Sequence, residues 1–314
     1  MRLNEIILFS TLIFISCKKQ DVPSTDWKRF GEPIYRDEIP EHNYEVASDG
    51  HIFVEDGIFH MIYSGDSDDH SSIKMATGSN AHSWSYDKVL LSEVGPSGTD
   101  REKETAFYRQ TIDGIHQIYY IGYNETDSYE AEVYLAESSS IDGPYLQQSS
   151  PIISRGEIAG QPVYCITSPS IVEHDSLLYI CFLGWNDSPA NVSVVWTLGA
   201  VSSDEGHSWS DFQEIDCPIG MEGQITKGPD ERFYAVRTGE FDNREAIFYA
   251  ESDHPFGPWE RKETPILTQA GKPFETDEII APQITFDPLT NKKLLYYTGA
   301  NHKKGWWIML AEEN

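Results

Sequence analysis

Short apolar runs, each closed by a turn signal, recur along the whole chain, and no long stretch carries the 3.6-residue period of a helix. The clearest unit lies near the start. An apolar run over 51–55 turns at Asp56-Gly57 into a second over 58–65. A third follows over 73–77 and a fourth over 84–91. Asp-Gly between two such runs is the signature of a two-residue hairpin. Similar units recur four more times. The second carries Asp113-Gly114, runs at 118–123 and 133–138, then Gly143-Pro144-Tyr145. The third has runs at 168–172, 177–185 and 194–203 before Trp209. The fourth has runs at 233–236 and 247–252 before Gly257-Pro258-Trp259. The fifth has runs at 281–284, 293–299 and 306–312.

The fifth unit lacks a fourth strand, and its replacement stands at the other end. Trp27 through Pro33-Ile34-Tyr35 has the shape of Trp259 through Pro265-Ile266-Leu267. The aromatic starts Trp27, Trp84, Tyr145, Trp209 and Trp259 are 50 to 64 residues apart, enough for four short strands and their loops. The pattern predicts an all-β, five-bladed β-propeller of four-stranded blades, its ring closed by the N-terminal strand joining the last blade. Such closure removes two raw sheet edges.

The first residues are set apart from this domain, expected over 27–314. The apolar run at 6–16 is too short to span a bilayer and has the length of a signal-peptide core. Phe14-Ile15-Ser16-Cys17 looks like a bacterial lipobox, with 1–16 as signal peptide, Cys17 lipidated and 17–26 a tether. An ordinary cleaved signal with an incidental cysteine is the alternative. Lipidation implies a place in the bacterial cell envelope, with membrane contact through the N-terminal lipid only. Of the other cysteines, Cys165 and Cys181 flank a hairpin, and small buried thiols are favoured over a disulfide between them.

A formal net charge of −28 argues against nucleic acid as partner, since phosphates demand clustered Lys and Arg. Ser202 to Trp209 fits an Asp-box, a structural turn on the outer part of a blade. The Asn-x-Ser/Thr matches at Asn124 and Asn191 are read as chance.

In a propeller the innermost strands line a central channel. Aligning the five units on their first turns puts Asp49, Glu104, Ser168, Glu222 and Ala281 at comparable positions. Three acids at one pore mouth repel one another. Such a cluster points to chemistry or to a bound cation.

The ring, with Ala250 to Leu267 reading Ala-x-Ser, Gly-Pro-Trp, Pro-Ile-Leu, resembles the propellers of glycoside hydrolase family 43 and its relatives. The resemblance implies a glycosidase on plant or algal oligo- or polysaccharide, of arabinosidase or xylosidase type, inverting, with no required cofactor and a structural cation possible in the channel. It implies Asp49, in Ala47-Ser48-Asp49-Gly50, as general base and Glu222, in Met221-Glu222-Gly223-Gln224, as general acid; Gln224 stands where the family has Pro. The family's third acid, an Asp, is replaced by Ser168, and Glu104 is the candidate to supply that charge by raising the pKa of Glu222. Asp277 and Glu278 are further candidates. Ser168, Tyr108, Arg109, Arg155, Trp185 and Arg237, near inner-strand ends, are expected to contact sugar, and His302 is the candidate to reach the pore from the fifth blade. Inversion requires the two carboxyls about 6.5–9.5 Å apart, retention about 5–5.5 Å. A glycan-binding propeller without activity is one alternative. A fructosidase or a phosphorylase is another, the latter needing a basic phosphate site for which Arg101, Lys103, Arg109 and Arg155 are candidates.

Overall fold

The computed structural model describes residues 27–39, 44–67, 70–124, 129–188, 191–220 and 222–314. The expected signal segment, Cys17 and the tether lie outside the described residues. The chain forms five antiparallel blades. Blade 1 runs outward through Ser48–Glu55, Ile58–Ser67, His70–Asn80 and Ser83–Leu91. Blade 2 uses Glu102–Gln110, His116–Tyr123, Glu132–Ser138 and Leu146–Gln147. Blade 3 uses Cys165–His174, Leu177–Trp185, Val195–Ser202 and Ser210–Glu214. Blade 4 uses Ile225–Lys227, Phe233–Phe241 and Arg244–Ser252, with Glu260–Arg261 and Leu267–Thr268 sharing its outer edge. Blade 5 uses Glu278–Phe286, Lys293–Asn301 and Gly305–Glu313.

The ring closes as the repeat demands. Trp27–Arg29 pairs antiparallel with the last strand, Trp27 opposite Glu313 and Arg29 opposite Ala311. Behind this seam Arg29 donates to buried Glu275, whose other oxygen accepts from Tyr297 at 2.7 Å. A buried charge is stable only when paired and hydrogen-bonded in this way. Tyr44–Val46 adds a short parallel pairing to the last strand, which the repeat did not predict.

The aromatic starts of the outer strands pack against the blades, with Trp27 and Tyr145 buried. The Asp-box forms the expected turn, Asp204 accepting from Ser202 at 2.7 Å and Ser208 at 2.6 Å. Cys165 and Cys181 do not face each other: Cys165 stands opposite Trp185, and Cys181 opposite Ser170. Cys181 instead lies in the same buried core cluster as Cys217. Among the described residues no helix is long and apolar enough to cross a membrane.

Candidate active site

Each inner strand bends where it reaches the ring mouth. The pairing register shifts between Ser48 and His51, Glu104 and Phe107, Thr167 and Ser170, and Ile280 and Gln283. At each bulge one non-glycine residue adopts left-handed backbone: Asp49 (φ 54°), Thr105 (48°), Ser168 (56°) and Ala281 (49°), joined by Glu222 (55°) ahead of the blade 4 strand. Side chains avoid this region at a cost, and such outliers concentrate at functional sites. Blade 2 therefore contributes Thr105, not Glu104, to the five-fold position. This corrects the sequence alignment by one residue, because the bulge geometry decides the register where turn length does not.

Hydroxyls from the preceding blade hold three of these bends. The Asp49 N–H donates to Thr298 Oγ1 at 3.1 Å, Thr105 to Ser64 Oγ at 3.1 Å, and Glu222 to Ser168 Oγ at 2.7 Å. Gly223 is required beside Glu222, since a Cβ there would run into the Val236 carbonyl.

Asp49, Glu104 and Glu222 meet despite the register difference. They line one cavity of about 360 Å3 with Ser48, Ser64, Gly65, Asp66, Ser71, Ile280 and Trp306. Among the described residues no Lys or Arg lines it. Asp49 is the neighbouring group that acts most strongly on the Glu222 carboxyl, through its charge and a side-chain hydrogen bond. Ser48 donates to Asp49 at 3.0 Å. No protein donor reaches the buried Oε2 of Glu222 among the described residues. Burial first, then the Asp49 charge and the hydrogen bond to it, then Glu104 and Glu278, push the Glu222 carboxyl well above the usual range. Glu104 is pushed up to about 7 by burial and by the charge of Asp49. It accepts from Tyr123 at 2.7 Å and Ser71 at 3.2 Å, which partly offset that rise. The charge acting most on Glu222 is thus Asp49, with Glu104 behind it.

Two residues further along, the inner strands present His51, Phe107, Ser170, Gln224 and Gln283. His51 is fully buried, its Nδ1 donating to Gln224 Oε1 at 2.8 Å, and its ring packs 4.1 Å from that of Phe107. Burial lowers the His51 pKa to about 4, so the imidazole is neutral at pH 7. Gln283 bonds both backbone groups of Ile52, at 2.6 and 2.9 Å. Gln224, unexpected in this motif, is a partner of the channel histidine. Among the described residues no group of three or more His, Cys, Asp or Glu is arranged to hold a metal ion.

The other expected contacts are scattered. Ser168 is buried behind Glu222 with its hydroxyl committed to that backbone N–H. Trp185 is buried and donates to Thr167 at 3.0 Å. Arg237 stacks on Phe248 at 4.5 Å, with its Cβ against the loop at Gly220. Arg155 pairs with Glu130 at 2.5 Å. Tyr108 and Arg109 stand four and five residues beyond Glu104, about 13–16 Å along the strand. There Tyr108 bonds Glu55 and His116, and Arg109 pairs with Glu205 at 2.7 Å. Both therefore serve contacts at the opposite end of the ring and do not meet the acids. Lys103 is fully buried against Asp100, so the candidate phosphate-binding cations are not gathered either. His302 bonds Glu278 at 3.0 Å and lies 5.4 Å from the ring of Trp306, at the fifth-blade rim. Sequence reasoning missed Ser64, Ser71, Tyr123 and Trp306, which sit near the ends of second and third strands. The available signal was their place at the end of the second strand or the start of the third.

No family model matches the chain, and no curated protein does. Solved structures share the fold. A thermostable family-43 glycoside hydrolase aligns with TM-score 0.66 at 15% identity, covering 84% of this chain and 88% of its own. The alpha-L-arabinofuranosidase of Podospora anserina, in complex with cellotriose, gives 0.64 at 11% identity over 92% and 97%. The GH43 enzyme of Xanthomonas citri complexed with xylose gives 0.63 at 14% over 90% of each chain. The architecture of this chain is the five-bladed propeller of these glycoside hydrolases.

Proposed function

We propose that this chain is a glycoside hydrolase acting on plant or algal oligo- or polysaccharide, with Glu222 as general acid and Asp49 as general base. The observation that carries the reading is that two carboxyls from different blades line one cavity, where burial and the neighbouring Asp49 push the Glu222 carboxyl well above its usual range. A glycosidase needs this asymmetry: one carboxyl that keeps its proton to give to the leaving oxygen, and one that is ionised. Without ligand, Glu222 gives its hydrogen bond to Asp49. A glycosidic oxygen entering between them takes Asp49's place as acceptor. Inversion then requires the carboxyls to part to about 6.5–9.5 Å, leaving room for a water that Asp49 deprotonates. Ser168 positions Glu222 through its backbone, and Glu104 adds the negative field that the family's third acid supplies. The fold shared with an arabinofuranosidase and with a xylose complex supports a pentose-bearing plant glycan. Purified protein, incubated with aryl glycosides and plant and algal oligosaccharides and followed by NMR, is expected to release one sugar with the inverted anomer appearing first. Absence of any product across the panel from folded protein sinks the reading.

A binding role without turnover is the second reading. The replacement of an expected acid by Ser168, buried and committed to a backbone N–H, favours it. Retention of a glycan by both parent and Glu222→Gln protein, with no product from either, identifies that outcome. We also propose export and anchoring through Cys17, which Cys17→Ser tests by release of the protein from the membrane fraction.

A further inference from the structure

A second cavity, of about 710 Å3, lies against blade 1 and the segment 33–37. It adjoins the acid pocket. Gly65 lines that pocket, and a Cβ on it would come 3.0 Å from Lys74 Cδ and 3.2 Å from Asp37 Oδ2, both residues of the second cavity. One backbone position therefore separates the two spaces.

Its polar part is built and rigid. Lys74, mostly buried, donates to Asp37 Oδ2 at 2.8 Å, and the Tyr63 hydroxyl donates to the same oxygen at 3.0 Å. The Tyr35 and Tyr63 hydroxyls are 2.9 Å apart. Lys74 keeps two N–H groups beyond its bond to Asp37. The other wall is aromatic. Tyr86 is 52% exposed, an unusual place for so large an apolar ring, and Trp84 is locked by donating to the Ala81 carbonyl at 3.1 Å.

Aromatic rings lining the same cavity as a paired ionic hydrogen-bonding group match one ligand chemistry well. A sugar ring presents apolar C–H groups on its faces and donor–acceptor hydroxyls on its edge, so it satisfies the rings and the Asp37–Lys74 pair together. A purely apolar ligand leaves that pair unmatched. An anion meets Asp37 and a cation meets Lys74, which pair with each other, and Arg36, the third charged residue of the lining, pairs with Glu32 at 3.5 Å and Glu45 at 3.8 Å, so each charge already has a partner. We propose that this cleft binds neutral sugar rings, and that they belong to the glycan whose scissile end enters the acid pocket. The second half of the proposal rests on the glycosidase reading; the first does not.

The test is affinity electrophoresis of the full protein carrying Glu222→Gln, in gels containing soluble arabinoxylan or linear arabinan. Retardation is expected in at least one polymer, and adding Tyr86→Ala should weaken it about tenfold. Tyr86→Phe, which keeps the ring, should retain it; Tyr86 is half-exposed, so neither change removes core packing. Equal retardation with and without Tyr86→Ala overturns the proposal, as does absence of retardation in both polymers. Binding here needs no turnover. A failed glycosidase reading shows separately, as missing product from the unmutated protein while the gel shift stands.

Discussion

At the ring mouth Asp49 and Glu222 sit on left-handed backbone, line one cavity, and leave one buried Glu222 oxygen without a protein donor among the described residues. Two residues further along the same chain segments, His51 and Gln224 share a neutral hydrogen bond at 2.8 Å, packed beside Phe107. The first layer stores strain and unsatisfied charge; the second is paired and neutral. The difference shows how a propeller divides its labour. Bulges aim side chains into the mouth, and the next layer fixes the strands so that the aim holds. Like charges brought this close are kept only where surrounding structure over-determines them.

The comparison breaks most visibly at the acids. Glu222→Gln and Asp49→Asn are each expected to lower kcat by about 10²–10⁴-fold on an unactivated glycan, while the thermal melt stays at or above that of the parent. Steady-state rates beside melting curves check this. A variant that loses stability rather than turnover places the residue in the supporting layer instead.

Next in size is the supporting layer. Gln224→Leu leaves the buried His51 N–H without its acceptor, which should cost about 1–3 kcal/mol of stability by denaturant unfolding. A smaller loss of rate follows because Glu222 lies two residues away. Ser168→Ala removes the hydroxyl that holds the Glu222 N–H and should cost about 1 kcal/mol, with kcat falling more than KM changes. Equal effects of Ser168→Ala on kcat and KM argue for direct sugar contact instead.

The subtlest effect is electrostatic. Glu104 carries a folded-state pKa of about 7, above the ordinary carboxyl value of 4.5. Between those values the folded chain holds a proton that the unfolded chain has released. The stability linked to this group is therefore present at low pH and lost as pH rises through 7. Glu104→Gln removes that loss, so the variant should gain on its parent in melting temperature as pH goes from 5 to 8. Its charge also raises the Glu222 pKa. Removing it should move the alkaline limb of the pH–rate profile to lower pH, and an unmoved limb separates Glu104 from the reaction.

The fold was readable because each blade repeats its own turn chemistry. Asp56-Gly57 and Gly257-Pro258-Trp259 announce strands independently of one another, and Trp27 marks the strand that completes blade 5. The two acids were readable from short motifs, Ser48-Asp49-Gly50 and Glu222-Gly223. The one-residue slip at Glu104 and Thr105 was not, because a bulge changes which residue faces the mouth without changing composition. Tyr108 and Arg109 look like sugar contacts from proximity in sequence, yet at about 3.3 Å per residue they travel to the far end of their strand. Trp306 entered the pocket unannounced, since nothing local distinguishes a third-strand tryptophan that lines a cavity from one that packs between blades.

The most direct test of proton donation by Glu222 compares leaving groups. Glu222→Gln should be measured on an aryl glycoside with an acidic phenol, which departs without protonation, and on an oligosaccharide of the same sugar. Activity lost on the oligosaccharide about 10²-fold more than on the aryl glycoside is the predicted result. Equal loss on both, or loss on neither, contradicts Glu222 as the acid.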